Sequence, residues 1–127
     1  MKLAYLDTSL VVALAFDEPQ ASALARRLGD LEQVFSSNLL EAEFTAALQR
    51  ERIDYPVETY LQSISWVLPD RPLSPEIERV AKSDYVGGAD LWHLACALYL
   101  APEPGSLGFL TLDRQQRAVA GQLGFQI

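Results

Sequence analysis

The sequence has only one cysteine, Cys96, and only one histidine, His93. A lone cysteine excludes an internal disulfide and the paired thiolates of a structural zinc site. Its simplest interpretation is apolar packing. Any metal site in this chain must therefore use oxygen ligands, either alone or together with the one histidine.

Long apolar segments are also missing. The longest apolar stretch, residues 91–101, contains His93 and ends before Pro102, well short of the roughly 20 residues that a membrane-spanning helix needs. The first residues lack the basic start, apolar stretch and cleavage site of a secretion signal. We therefore expect a cytoplasmic protein that does not associate with a membrane.

Basic residues are scarce. Ten lysines and arginines face 17 aspartates and glutamates, which gives a net charge of −7. Nonspecific binding to nucleic acid depends on lysine and arginine, so this balance argues against it. It does not exclude an enzyme that acts on nucleic acid, because several acids in one catalytic cluster also lower the net charge.

Several common nucleotide and catalytic motifs are absent. No GxGxxG follows the first apolar run, and neither GxxxxGKS/T nor GxSxG occurs anywhere. These absences argue against glycine-rich binding of nucleotide phosphates and against hydrolysis by a serine nucleophile.

The sequence does contain short apolar runs that alternate with helical segments, without internal repeats. We predict strands at residues 2–6, 33–37, 64–68 and 107–112, with a short edge strand at 125–127. We predict helices at 9–16, 19–28, 38–52, 56–63, 75–82, 89–100 and 114–123. Such alternation is typical of one α/β domain, here residues 1–127, with a parallel sheet covered by helices on both faces.

Glu43 occupies an unusual position in the helix predicted at residues 38–52. On a helical wheel it shares one arc with apolar residues, while Glu41 points the other way. These apolar residues are Leu39, Leu40, Phe44, Ala46 and Ala47. A buried carboxylate is costly without a partner, and the arc offers none. We expect an arginine, another cation or a metal ion to meet Glu43, with an ion pair to Arg50 or Lys2 as the structural alternative.

Three aspartates have related positions. Asp7 ends the first apolar run, Asp113 ends the last long one, and Asp90 opens the apolar helix near the C-terminus. If the two runs form neighbouring parallel strands, Asp7 and Asp113 lie together at the carboxyl edge of the sheet, where open α/β folds bind ligands. Each aspartate could instead simply cap the helix that follows it.

Four converging carboxylates would favour a bound cation, because like charges raise one another's pKa values. Mg²⁺ and Mn²⁺ prefer oxygen ligands, and such an ion can activate water against a phosphodiester. The simpler interpretation of His93 is a core or hydrogen-bonded residue. Arg114 and Arg117 could hold phosphates or could be solvated helix charges.

Four motifs, in order along nearly the whole chain, resemble the PIN domain family. They are YLDTS, SSNLLEAEF, GADLWHLACAL, and LTLD followed by a helix that ends in LGF. The resemblance is closest to VapC-type toxins of bacterial and archaeal toxin–antitoxin pairs. It implies a Rossmann-like, three-layer α/β/α sandwich with a mostly parallel sheet. It also implies an Mg²⁺- or Mn²⁺-dependent ribonuclease whose products carry a 5′-phosphate and a 3′-hydroxyl.

The resemblance also implies partners and site residues. VapC-type toxins usually form homodimers, and an antitoxin silences them, often by placing an arginine in the acidic pocket. Residue by residue, the family's catalytic and metal-binding acids match Asp7, Glu43 (not Glu41), Asp90 and Asp113, the last at the position that varies in the family. Thr111 and Ser9 match its polar positions beside the site.

Two alternatives stay open at this stage. One is a PIN nuclease that acts in RNA processing or on structured nucleic acid, without a toxin role. The other is a PIN-like interaction module without catalysis, whose acids cap helices and dock a basic partner. The family usually offers more basic surface around its cleft than this chain does, which bears on substrate affinity.

Overall fold

The structure is a computed structural model that describes residues 1–54 and 56–127. The strands are β1 (Leu3–Leu6), β2 (Gln33–Ser37), β3 (Ile64–Val67) and β4 (Gly108–Leu110). The helices are α1 (Thr8–Ala15), α2 (Ala21–Gly29), α3 (Leu39–Arg50), α4 (Val57–Leu61), α5 (Ser74–Ser83), α6 (Gly88–Leu100) and α7 (Arg114–Leu123), with a 3₁₀ turn at Pro104–Ser106. Within these residues, no helix is long and apolar enough to cross a lipid bilayer.

The strands form a parallel sheet in the order β3-β2-β1-β4. β1 is central, and its Tyr5 lies in register with Phe35 on one side and with Phe109 on the other. Because β1 and β4 are parallel neighbours, the residues that follow them meet at one edge of the sheet. The prediction that Asp7 and Asp113 share the carboxyl edge is confirmed.

The sheet lies between two layers of helices, because alternate strand residues point to opposite faces. Tyr5 and Phe109 pack on one face with buried residues of α5, α6 and α7, among them Val80, Leu94 and Val119. Ala4, Leu6 and Leu110 pack on the other face, where buried residues of α1 and α3 include Leu10, Leu40 and Phe44. This arrangement confirms the expected fold class, a three-layer α/β/α sandwich with a parallel sheet.

Some element boundaries agree with the sequence prediction and others do not. β2 and α7 agree, and α7 ends where Gly124 adopts a left-handed φ of 106°. α3 ends at Arg50 rather than at Arg52, because Arg52 adopts a φ of 54° and turns the chain. The predicted edge strand at 125–127 is wrong, since only a single bridge joins Gln126 to Gly108 there.

Candidate functional site

Asp7 lies directly after β1 and caps α1. Its Oδ2 accepts a hydrogen bond from the Ser9 backbone N–H at 3.2 Å and lies 3.2 Å from Thr111 Oγ1. Its own backbone N–H donates to the Leu110 carbonyl, which ties the residue to β4. The residue is only 5% exposed. Asp7 is therefore a helix cap, as the alternative interpretation held. However, a cap on the protein surface does not need to be buried, whereas Asp7 is.

His93 links Asp7 to Glu43. The imidazole is fully buried, and its Nε2 lies 2.9 Å from Glu43 Oε1 and 3.8 Å from Asp7 Oδ1. On the other side of the ring, Nδ1 lies 2.7 Å from the Tyr5 hydroxyl. That hydroxyl accepts from the Ser37 N–H, so its proton points to Nδ1, and Nε2 keeps a proton to donate to Glu43. The sequence interpretation of His93 as a hydrogen-bonded residue is confirmed.

Glu43 is less buried than the helical wheel predicted. Its side chain is 34% exposed, and the buried stripe of α3 consists of Leu40, Phe44 and Leu48, whereas Ala46 is exposed. Glu43 Oε1 accepts hydrogen bonds from Thr8 Oγ1 at 2.7 Å and from His93, and the His93 bond is the main reason why its pKa is lowered.

Neither Arg50 nor Lys2, the two residues suggested for an ion pair, is the partner of Glu43. Arg50 pairs with its neighbour Glu51, and Lys2 pairs with Glu32, so neither reaches Glu43. Its protein partners are Thr8 and His93 instead. Both hold Oε1, and in the described residues no hydrogen bond holds Oε2, which leaves this oxygen free to bind a ligand.

Asp90 lies in the first turn of α6 and experiences the charges of the other acids. Burial, the negative charges of Asp7 and Asp113, and a weaker contribution from Glu43 together raise the pKa of Asp90 to about 6, against an opposing effect of His93. An ordinary aspartate titrates near 3.8. The four acids therefore lie close enough for their electric fields to overlap at one end of the sheet.

Asp113 lies at the rim of this group. It caps α7, because its Oδ1 accepts a hydrogen bond from the Gln116 N–H at 2.7 Å, and the residue is exposed. Its capping role is thus satisfied by the fold alone. Among the four predicted acids, it has the weakest structural case for contact with a ligand.

Gln116 and Thr111 support the acids from behind. Gln116 is fully buried, and its Nε2 donates to the Asp90 carbonyl at 3.3 Å and lies 3.5 Å from Asp7 Oδ1. Thr111 Oγ1 lies 2.7 Å from Gln116 Oε1 and 3.4 Å from Ser9 Oγ. Thr111 and Ser9 therefore lie beside Asp7, as expected. Sequence reasoning missed Gln116, whose only signal is its place one turn into α7 after Asp113.

The donor chemistry of this cluster fits a hard divalent cation. Within residues 1–54 and 56–127, no three histidine, cysteine, aspartate or glutamate side chains already surround a common point as metal ligands do. However, burial and, after it, the negative charges of Asp7 and Asp113 raise the pKa of Asp90, and a bound cation would favour its charged form. Carboxylate oxygens from Asp7, Asp90 and Glu43 are the ligands that Mg²⁺ and Mn²⁺ prefer. His93 is less suited, because its Nε2 is engaged by Glu43.

The raised pKa of Asp90 should lower the free energy of unfolding of the metal-free protein at neutral pH. Above pH 6 the native state must hold Asp90 ionised at a cost that the unfolded chain does not have. We expect Asp90→Asn to raise the free energy of unfolding at pH 7.5 by about 1–2 kcal/mol, a figure already reduced for partial exposure. Urea unfolding in EDTA measures this change.

The stability difference between Asp90→Asn and wild type should depend on pH in one direction. As the pH falls from 6 toward 3.8, native Asp90 takes up a proton that the unfolded chain does not, so wild type gains stability relative to Asp90→Asn. The advantage of the variant should shrink over that range. Asp30→Asn, which changes an exposed acid at the end of α2, is the control and should show no such trend. A destabilised Asp90→Asn at pH 7.5 would contradict the charge-cluster description.

Comparison with known proteins gives one match. A family model described as the PIN domain matches residues 4–122, a span that runs from β1 through most of α7 and includes all four candidate acids. No curated protein and no solved structure matches the chain.

Proposed function

Because the chain belongs to the PIN domain family, whose members are typically metal-dependent nucleases, we propose that it is an endoribonuclease that hydrolyses RNA phosphodiesters with Mg²⁺ or Mn²⁺. The observation that supports this proposal most is the pKa of Asp90. Burial is the largest cause of its rise to about 6, and the added effects of Asp7, Asp113 and Glu43 support a grouping of four carboxylates at this end of the sheet. A cation-dependent enzyme needs such a site.

In this proposal Asp7, Glu43 and Asp90 hold the cation directly or through water, and Asp113 contributes from the rim. When bound, the cation would lower the pKa of a coordinated water and stabilise negative charge on the phosphodiester. The protein supplies the orientation. Thr8 and His93 hold Oε1 of Glu43, so that Oε2 would be the oxygen available to the cation, and the Ser9 N–H and Thr111 hold Asp7.

We further propose that this single domain, residues 1–127, is the toxin of a VapBC-type toxin–antitoxin pair. The motif order of the sequence supports this assignment. The toxin would act in the cytoplasm, where its RNA substrate is, as a homodimer without membrane association. The surplus negative charge of the cleft suits a cationic side chain from a cognate antitoxin, which would compete with the metal for the same carboxylates.

One observation favours a second candidate function. Asp7 and Asp113 both cap helices, and the described side chains include no preformed group of three metal ligands. A PIN-like interaction module without catalysis would need no more than this. A PIN nuclease in RNA processing, the third possibility, differs from the toxin in its substrate and partner rather than in its site.

The test is a cleavage assay with the purified full chain and end-labelled single-stranded RNA. We expect internal cleavage with Mg²⁺ or Mn²⁺ that yields 5′-phosphate and 3′-hydroxyl ends, and no cleavage in EDTA. Calorimetric titration with Mn²⁺ accompanies the assay. If the protein shows no cleavage and no heat of Mn²⁺ binding, the interaction module is favoured. Equal cleavage in EDTA would rule out the metal-dependent mechanism.

A further inference from the structure

A cavity of about 290 Å³ lies beside the acidic site, between α1, α2, β4 and α7. Its walls are largely apolar and include Leu24, Leu28 and Phe109, while Arg27, Arg114 and Arg117 stand around it. An apolar pocket with a few convergent polar groups is the usual form of a site for a small ligand. The positive charges of the three guanidinium groups would favour an anionic ligand.

The arginines of this cavity differ from those that form ion pairs, such as Arg50 and Arg71. In the part of the chain that the structure describes, no carboxylate lies within ion-pair distance of Arg27, Arg114 or Arg117. Other arginines share this feature within the described residues, so what distinguishes this group is that three of them line one cavity. Their charges are therefore available to an anionic ligand.

Arg114 and Arg117 are also poorly placed for the stability of their helix. Both lie among the first four residues of α7, whose first turn has no acidic residue. Cations are unfavourable there, because the N-terminal end of a helix carries partial positive charge. Arg27, in the last turn of α2, does suit its helix, so the case for a ligand rests on Arg114 and Arg117.

The wall of the cavity includes residues that neighbour the acids. Thr111 lines the cavity, and its hydroxyl lies 3.2 Å from Asp7 Oδ2. Arg114 directly follows Asp113, and Leu10, in the cavity wall, lies one turn after Asp7 in α1. The cavity therefore borders the acidic site through Thr111, which contacts Asp7 on one side and lines the cavity on the other.

We propose that this cavity binds the nucleotide next to the scissile phosphodiester of a single-stranded RNA, with the base against the leucines and the phosphate on Arg114 and Arg117. The proposal rests on the ribonuclease function proposed above. It also explains how so acidic a protein holds RNA: unpaired arginines beside the acids provide local attraction that the overall charge lacks. The base needs no specific hydrogen bonds here, so recognition would tolerate different sequences.

The test compares two double variants that each lose two positive charges. Arg114→Gln/Arg117→Gln changes the cavity, and Arg26→Gln/Arg52→Gln changes two exposed arginines that do not line it. Fluorescence anisotropy measures the affinity for a labelled 12-nucleotide single-stranded RNA, with Ca²⁺ in place of Mg²⁺. We expect the cavity variant to bind at least about tenfold more weakly, and its plot of log affinity against log salt to lose about 1.4 in slope. The control should stay near wild type on both measures.

A second measurement tests whether a nucleotide base binds against the apolar wall of the cavity. Adenosine 5′-monophosphate and ribose 5-phosphate are titrated into the labelled full chain and followed by NMR. We expect the nucleotide to bind at least about tenfold more tightly and to shift the amide signals of Leu28 and Leu112, and the cavity variant to lose this difference. Equal affinities would mean that the arginines hold phosphate alone, and the base site would be rejected.

Other outcomes also decide the proposal. If the cavity variant keeps wild-type RNA affinity but changes the oligomeric state in sedimentation, the cavity is an interface between copies. If it keeps RNA affinity but loses an acidic partner peptide, the cavity is a protein site. Either result overturns the nucleotide assignment while wild-type RNA cleavage can still stand. Conversely, RNA binding that depends on the cavity without any cleavage would reject the ribonuclease function alone.

Discussion

Asp7→Asn should lower the rate of metal-dependent RNA cleavage by at least about 10³-fold, since one ligand carboxylate supports several kcal/mol of transition-state stabilisation. The fold should survive the change. Asparagine is as good a helix cap as aspartate, and its side-chain oxygen can still accept from the Ser9 N–H and from Thr111, as Asp7 does. The variant thus separates the charge of Asp7 from its structural role.

Initial cleavage rates at saturating Mn²⁺, with thermal unfolding followed by circular dichroism, measure both effects. Asp30→Asn removes the same charge from an exposed acid outside the cluster and should cleave RNA like wild type. Asp113→Asn should show a smaller loss than Asp7→Asn, because Asp113 is exposed and serves as a cap. Full activity of Asp7→Asn would refute the assignment of this residue.

His93→Ala should lower the free energy of unfolding by about 3 kcal/mol, the largest stability effect expected at the site. The substitution leaves a cavity among fully buried residues, and it removes the hydrogen-bond partner of the Tyr5 hydroxyl and of Glu43. The Tyr5 hydroxyl keeps the Ser37 N–H as a donor but loses the acceptor for its own buried proton, which adds a desolvation cost to that of the cavity. Urea unfolding at neutral pH measures the change.

A second readout separates positioning of Glu43 from general packing. Because the His93 hydrogen bond is the main cause of the lowered pKa of Glu43, His93→Ala should raise this pKa, as followed by the NMR signal of its side-chain carboxyl carbon. Thr8→Val removes the other, weaker contribution and should raise the pKa less. If the pKa of Glu43 is the same in His93→Ala as in wild type, His93 does not position this carboxylate.

The sequence alone predicts those parts of the fold that have local causes. α7 follows from a capping aspartate and a closing glycine, and β2 from a short run of suitable strand residues. The carboxyl-edge placement of Asp7 and Asp113 follows from the topology rule for parallel sheets. Boundaries that depend on distant partners were less predictable, as at 125–127, where only one bridge to Gly108 forms.

The network behind the acids could not be predicted, because its contacts join residues far apart in the chain. A helical wheel assigned Glu43 to the apolar arc but could not say that α1 and α6 would meet it with Thr8 and His93. Likewise, the buried position of Gln116 depends on its packing against Asp7 and the Asp90 carbonyl. Sequence reasoning thus proposed the acids but did not predict the residues that hydrogen-bond to them.

The central claim is that the fold gathers dispersed carboxylates into one cation-binding cleft. The most direct test is a crystal structure of the protein soaked in Mn²⁺, with the ion located by its anomalous scattering. We expect Mn²⁺ at the carboxyl edge of the sheet, bound directly or through water to Asp7, Asp90 and Glu43. A crystal with no anomalous peak within water-bridged reach of these side chains, or with Mn²⁺ only on unrelated surface acids, would contradict the claim.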